Sequence, residues 1–176
     1  MDDEYIDQVL SGDTHAFRYF LQTYKDMAFN LAVSIVKDDH HAEEVVQDAF
    51  MKAFNGLRSF NRKAQFKSWF YRIVVNESFQ FLKKLKRNVI TTDVENVDPS
   101  LYEPGEPELP AIMDKVRQAM MLLPPKESMI LNLYYLEEHS MKEIRFVTGW
   151  STTNAKVILH RARKHLRALL NLDQNI

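Results

Sequence analysis

The sequence predicts an all-α protein made of two small helical domains, the second containing a helix-turn-helix, joined by an acidic, proline-rich linker. Three observations lead there. Only four Gly and six Pro occur in 176 residues, too few for a turn-rich β architecture. Apolar residues recur at three- and four-residue spacing on both sides of residues 91–110. That central stretch holds Pro99, Pro104, Pro107 and Pro110, six acidic residues and no basic one, which suits an extended linker. The predicted units are therefore 1–90, 91–110 and 111–176.

Asp13 is placed to cap a long helix whose buried stripe is Phe17, Phe20, Leu21, Tyr24, Ala28, Leu31 and Ile35. Asp38 and Asp39 mark a break and can cap the next helix. Its apolar positions are Ala42, Val45, Val46, Ala49, Phe50, Ala53 and Phe54, and Gly56 is expected to stop it. Leu57 to Gln65 has no clear period. A third helix is expected from about Phe66 to Lys86, with Trp69, Phe70, Ile73, Val74, Phe81 and Leu85 on one side. After the linker, Ile112, Val116, Ala119, Met120 and Leu123 form a stripe ended by Pro124-Pro125. Lys126 to Leu136 forms a further helix. Ser140 and Glu143 have the spacing of a capping box, opening a short helix that ends at Gly149. Ser151 can cap a last helix containing Ala155, Ile158, Leu159, Ala162, Leu166 and Leu169.

Composition bounds the function. An apolar fraction of 45% and a charged fraction of 27% exclude wholesale disorder. The absence of Cys excludes disulfides, thiolate zinc sites and Cys nucleophiles. The first residues, Met1-Asp2-Asp3-Glu4, are acidic where a signal peptide is basic. The most apolar stretch, Phe29 to Val36, falls far short of the ~20 residues that span a bilayer. A cytoplasmic protein without membrane insertion is expected. No phosphate-cradling Gly loop and no H-E-x-x-H motif occur, so neither a cofactor nor catalysis by this chain is expected. His40 and His41 beside Glu43 and Glu44 lack a second donor cluster, and no metal is expected.

A net charge of −1 hides strong segregation. Residues 1–51 hold 3 basic and 11 acidic side chains, residues 52–90 hold 10 and 1, and residues 150–170 hold 5 and none. Two basic zones separated by an acidic one suit two contacts with a polyanion. The competing reading is a pair of solvated helix faces.

Ser140 to Leu170 describes a helix-turn-helix: a short capped helix, a Gly-containing turn and a longer basic helix. Met141, Ile144 and Val147 supply the inner face of the first helix. Thr152, Thr153, Lys156 and His160 lie outside the apolar stripe of the second and suit the major groove. Arg161, Arg163, Lys164 and Arg167 suit phosphates or the solvated face. A helical hairpin with a basic surface gives the same pattern.

At this point the chain resembles a known family, the extracytoplasmic-function sigma factors, small two-domain initiation factors of bacterial RNA polymerase. The marks are Asp13-x-x-Ala16-Phe17, Ala42-Glu43-Glu44-Val45-Val46-Gln47-Asp48-Ala49-Phe50, Phe60, and Phe66-x-x-Trp69-Phe70-Tyr71-Arg72-Ile73-x-x-Asn76. Leu123-Pro124, Ser140-x-x-Glu143-Ile144 and Arg161-Ala162-Arg163-x-x-Leu166 follow. Their order and spacing cover almost the whole chain. The resemblance implies that Gln47, Asp48, Met51, Lys52 and Asn55 dock on the β′ clamp helices of core polymerase, with the β subunit as a further partner. It implies that Leu57 to Gln65 captures a base flipped from the −10 element, a task that needs a pocket and cations. Phe60 and Asn61 would help form that pocket, although Phe60 is equally readable as a loop anchor. Arg58, Arg62, Lys63 and Lys67 would hold phosphates. Arg72 and Asn76 would also contact promoter DNA, and Lys83, Lys84, Lys86 and Arg87 would face duplex upstream. Thr152, Thr153, Lys156, Val157, His160 and Arg161, with Arg163, would read the −35 element. An anti-sigma factor is an implied partner. The bottom-up rivals are a stand-alone helix-turn-helix regulator, which leaves the Val45–Phe50 helix without a task, and a protein–protein adaptor, which does not need the basic zone.

The chain departs from the family pattern at Arg145, where Ala is usual, at Asn154-Ala155, where Thr-Val is usual, and at Gln80, where an acid is common. A long cation at Arg145 has to point outward for the first helix to dock.

Overall fold

The computed structural model describes residues 1–89 and 109–172, and every regular element in them is helical. Of the linker expected at 91–110, all but Leu109 and Pro110 lies outside the described residues; those two open a helix, Pro in a first turn where its missing N–H is not required.

Helix α1 (Asp2–Leu10) is one that hydrophobic periodicity did not single out. It buries only Ile6 and Val9, and it is held by polar and aromatic contacts with the next helix. Tyr5 stacks on Tyr19 with ring centroids 4.0 Å apart, and Asp2 accepts hydrogen bonds from Tyr19 Oη (2.9 Å) and Tyr24 Oη (2.6 Å). Burial and the neighbouring carboxylate push the Tyr24 hydroxyl far above its ordinary pKa, so the phenol remains a donor.

Asp13 caps as its position predicts, accepting from His15 N at 3.1 Å, but what it opens is a 3-10 turn, Thr14–Phe17. The chain then continues as α2 (Arg18–Val36). Asp38 caps α3 (Asp39–Gly56) through His41 N. Gly56 does not end α3 by a left-handed turn: its φ is −84° and a 3-10 turn, Leu57–Ser59, follows. A Cβ there would lie in ordinary van der Waals contact with the Trp69 ring, at 3.5 Å, so neither backbone angle nor space requires glycine at this position. Helix α4 (Phe66–Val89) completes a bundle with α2 and α3. The bundle core is aromatic: Phe20 lies 4.2 Å from Phe66, and Phe50 lies 4.5 Å from Phe70. Leu21 and Leu85, expected in buried stripes, are exposed, and so is Ile112 in the next helix. Each sits at the margin of its stripe, where 3.6-residue periodicity carries it round toward solvent.

The C-terminal part contains α5 (Leu109–Leu122), α6 (Pro125–Leu131), α7 (Met141–Thr148) and α8 (Thr152–Leu172). The helix expected to run to Leu136 is α-helical only to Leu131. Asn132–Leu136 forms a π-helical turn, closed by Glu137 N donating to Asn132 O at 3.0 Å. The capping box of α7 is complete: Ser140 Oγ accepts from Glu143 N at 3.3 Å, and Ser140 N donates to Glu143 Oε2 at 2.8 Å. Ser140 Oγ also donates to Glu143 Oε2 at 2.6 Å, and this bond, with the one from Ser140 N, holds the Glu143 carboxyl below its ordinary pKa. Gly149 ends α7 in the left-handed conformation at φ 73°, and Ser151 Oγ accepts from Asn154 N at the start of α8.

The two parts pack against each other through α4 on α7 and α2 on α6. Replacing Ser140 by Ala should cost about 1 kcal/mol, the usual worth of such a cap. Urea denaturation checks this, and a midpoint unchanged from wild type would refute it.

Candidate polymerase and nucleic-acid interfaces

Helix α3 buries one side, with Ala42, Val45, Val46, Ala49, Phe50 and Ala53 in the core. The opposite side presents Gln47, Asp48, Met51, Lys52 and Asn55, all exposed. The spacing of the buried residues dictates that stripe. Met51 is 60% exposed, an apolar side chain left in water on an otherwise polar stripe. Lys52 is anchored by Glu77 of α4, with Nζ 2.7 Å from both carboxylate oxygens.

In the 57–65 segment Leu57 and Phe60 are buried, Ala64 is half-buried and the other residues are exposed. Phe60 is 8% exposed and packs on Trp69 (4.8 Å) and Phe66 (6.1 Å), the loop-anchor alternative of the two read from sequence. Asn61, Arg62 and Lys63 are exposed beyond it. Asn61 Oδ1 accepts from Lys63 N at 3.1 Å, and Arg62 takes a left-handed φ of 58°. The Arg62 guanidinium bonds Asp7 of α1 and lies 3.8 Å from Asp3. This pairing lowers the Asp7 carboxyl and raises the guanidinium. Arg58 is exposed.

On α4 the structure separates the expected DNA residues into two groups. Lys67, Arg72 and Asn76 face the C-terminal part. Lys67 Nζ lies 3.2 Å from Glu137 Oε2, and the Arg72 guanidinium sits 5.6 Å from the Phe146 ring centroid. Asn76 borders a small cleft of about 190 Å³ with Thr148 and Trp150. Lys83, Lys84, Lys86 and Arg87 are exposed further along. Three of these cations, Lys83, Lys86 and Arg87, line a larger cleft of about 790 Å³ together with Lys126, Arg161 and His165.

On α8, Thr153, Lys156, Val157 and His160 are exposed and Thr152 is half-buried, while Ala155, Ile158, Leu159 and Ala162 form the inner face. Arg145 is exposed, so the substitution does not disturb the buried Ile144 and Val147 of α7. Two arginines expected on DNA have protein partners. Arg161 Nε lies 3.0 Å from Glu127 Oε1, and His165 Nδ1 lies 2.7 Å from the other oxygen of that carboxylate. Arg163 Nε donates to Tyr135 Oη at 2.6 Å, its guanidinium 5.4 Å from the centroids of Tyr134 and Tyr135.

Sequence reasoning passed over Glu127, Glu137, Lys37 and His139. Glu127 is 3% exposed and clamps α8 to α6. Its type and its place beside Pro124-Pro125 read as an ordinary first-turn acid, so local pattern carried no signal for its burial. Among the described residues, no group of three or more His, Asp or Glu is placed to hold a metal, and no helix is long and apolar enough to cross a membrane.

The family model for Sigma-70 region 2 matches residues 20–88, and that for Sigma-70 region 4 matches residues 113–166. The chain is 30% identical over 158 residues to the ECF RNA polymerase sigma factor SigM of Bacillus subtilis, covering 88% of this chain and 94% of SigM. This chain belongs to the ECF sigma factors. It is also 28% identical to SigW of the same organism over 176 residues, with 94% of each chain covered. In three dimensions it is similar to the sigma factor RpoE of Bartonella quintana, solved in complex with the anti-sigma factor NepR, with a TM-score of 0.72 and 25% identity over 89% of this chain and 98% of that one. In this sigma factor the region 2 match covers α3, the 57–65 loop and α4, whereas α1 lies outside both family matches.

His139 gives the sigma factor a pH dependence. Its ring is 5% exposed beside Tyr71, and Nε2 has no hydrogen-bond partner. Burial, its largest cause, lowers its pKa below the ordinary 6.5, with Lys67 adding to the shift and the Glu137 carbonyl, Glu143 and Glu137 opposing it. The unfolded chain therefore binds the proton more readily than the folded one. Stability is full above about pH 6.5 and falls as pH drops below it. Thermal melts should show this decline between pH 7.5 and 5.5, less steep in His139→Gln; equal slopes for the two proteins would refute it.

Proposed function

We propose that this chain binds core RNA polymerase through α3 and directs it to promoters, with the 57–65 loop and α4 on the −10 element and α8 on the −35 element. The reading divides the chain at 1–90 and 111–176, with residues 91–110 between. The observation that carries it is the exposed Gln47–Asp48–Met51–Lys52–Asn55 stripe in the same chain as a fully capped helix-turn-helix. A stand-alone regulator has no use for the first, and an adaptor has none for the second.

The physical division of labour follows from exposure. Asn61, Lys63 and Arg58 surround the outer side of a loop anchored by Phe60, which suits an unstacked base and its phosphates. Thr153, Lys156, Val157 and His160 offer one hydroxyl, one cation, one apolar group and one imidazole to base edges. Arg163 is held against Tyr134 and Tyr135, so it presents a fixed charge at the helix flank. Catalysis resides in the polymerase, and this chain supplies no catalytic group or cofactor. It works in the cytoplasm, where its partners are polymerase, promoter DNA and an anti-sigma factor.

Reconstituted transcription with core polymerase tests the reading. Asp48→Arg should abolish promoter-directed transcript while leaving the circular dichroism melt unchanged; full activity of the variant would sink the α3 assignment. Lys156→Ala should reduce discrimination between matched and altered −35 elements by ~1–3 kcal/mol. Equal loss on both templates would mark Lys156 as a phosphate contact instead.

A further inference from the structure

Two chemistries meet in the cleft of about 790 Å³ near the end of α4. The first is apolar. Phe79 and Leu82 of α4 line it with Pro124 and Pro125, which cap and open α6. Phe79 and Leu82 are half-buried and packed on the core, so this lining is fixed from behind. The second is positive. Lys83, Lys86 and Arg87 come from α4, Lys126 from α6 and Arg161 from α8. The three on α4 are spaced i, i+3 and i+4, which puts them on one helix face, where like charges repel. A single carboxylate, Glu127, lies among these five cations. Its two oxygens are already taken, by Arg161 at 3.0 Å and by His165 at 2.7 Å. The rest of the positive charge has no counterpart in the cleft lining.

That combination narrows the occupant. The volume lies within the roughly 300–1,000 Å³ of small-molecule sites. Duplex DNA can lay phosphates along the cations, but its bases are stacked inside and offer nothing to the apolar lining. An inorganic anion satisfies the cations and leaves that lining in water. A single strand carries about one charge per base, too few for five cations around one apolar slot. A flat ring carrying several phosphates satisfies both chemistries. We propose that the cleft between the end of α4, the start of α6 and α8 binds a nucleotide with two or more phosphates. The base packs against Phe79, Leu82 and the two prolines. The phosphates are held by Lys83, Lys86, Arg87 and Lys126, with the outer nitrogens of Arg161 completing the site. Side chains supply the charge, so no Gly-rich phosphate loop is required. The site belongs to the chain itself and does not depend on which promoter element α4 contacts.

Isothermal titration calorimetry of the full chain tests this with ATP, AMP and inorganic tripolyphosphate as probes. ATP should bind saturably at one site per chain. It should bind roughly tenfold more tightly than AMP, which lacks the phosphate chain, and roughly tenfold more tightly than tripolyphosphate, which lacks the base. Lys126→Glu reverses a cation that no DNA or polymerase contact uses, and it should weaken ATP roughly tenfold. Phe79→Ala should weaken ATP and leave tripolyphosphate unchanged, with circular dichroism melts establishing that the variant is folded. If that variant does not fold, the three wild-type affinities and Lys126→Glu decide the question by themselves. Absence of saturable ATP binding overturns the proposal. Tripolyphosphate or AMP binding as tightly as ATP overturns it too, since the cleft is then an anion surface or a base slot alone. Wild-type ATP affinity in Lys126→Glu places the nucleotide elsewhere and overturns the assignment of this cleft.

Discussion

Helix α4 has to bury two faces at once. Phe66, Phe70 and Val74 pack toward α2 and α3, while Tyr71 turns its hydroxyl to Glu137 in the C-terminal part. A helix held on both sides cannot rotate. The aromatic contacts Phe20–Phe66 and Phe50–Phe70 fix its angle about its own axis. That angle decides that Lys67 meets Glu137, Arg72 meets Phe146 and Asn76 borders Thr148 and Trp150. Tyr71 is the hinge of the arrangement: its ring is fully buried, and burial with the Glu137 carboxylate pushes its hydroxyl far above the ordinary range. It therefore remains a donor, and the Glu137 carboxyl is held by the Tyr71 hydroxyl on one side and Lys67 on the other.

The parts of the fold that were legible in the sequence are the local ones. Asp38, Ser140, Glu143, Gly149 and Ser151 perform the tasks their positions suggest, because a cap is decided by residues within one turn of each other. The exposed side of α3 was legible too, since the 3.6-residue period of its buried side leaves only one stripe free. Helix α1 was not. Its nine residues bury only two apolar side chains, and its attachment comes from Asp2, Tyr5, Asp3 and Asp7, whose partners lie 14 to 59 residues away. The π-helical turn was hidden for a different reason. Asn132–Leu136 continues an apolar run, and nothing in its composition distinguishes an i+5 from an i+4 bond.

The closed packing was invisible for the same reason as α1, only more so. Tyr71 and Glu137 are 66 residues apart, and Lys37 and Ser128 are 91 apart. A Lys just after a helix looks like a solvated C-terminal cation. Here burial lowers its pKa to about 8, because it is inserted between two helical units. The departure from the family at Arg145 turned out to be harmless on geometric grounds: it lies on the outer side of α7, away from Ile144 and Val147.

Charge segregation acquires a different meaning once partners are assigned. The basic zones are not simply free cations awaiting a polyanion, since Arg62 pairs with Asp7, Lys67 with Glu137 and Arg161 with Glu127. Binding DNA at such positions is an exchange of one anion for another, and burial decides where exchange is easy. Arg62 and Asp7 are open to water, so salt and phosphate both displace the carboxylate readily. Glu127 is 3% exposed and is held by Arg161 on one oxygen and His165 on the other, so displacing Arg161 would leave this buried carboxyl with His165 alone. Arg161 therefore keeps Nε on Glu127 and has only its outer guanidinium nitrogens to offer a phosphate. Helix α8 is thus aimed by a buried carboxyl on α6, and its exposed side carries Thr153, Lys156, Val157 and His160, whose positions follow from the grip on the opposite flank.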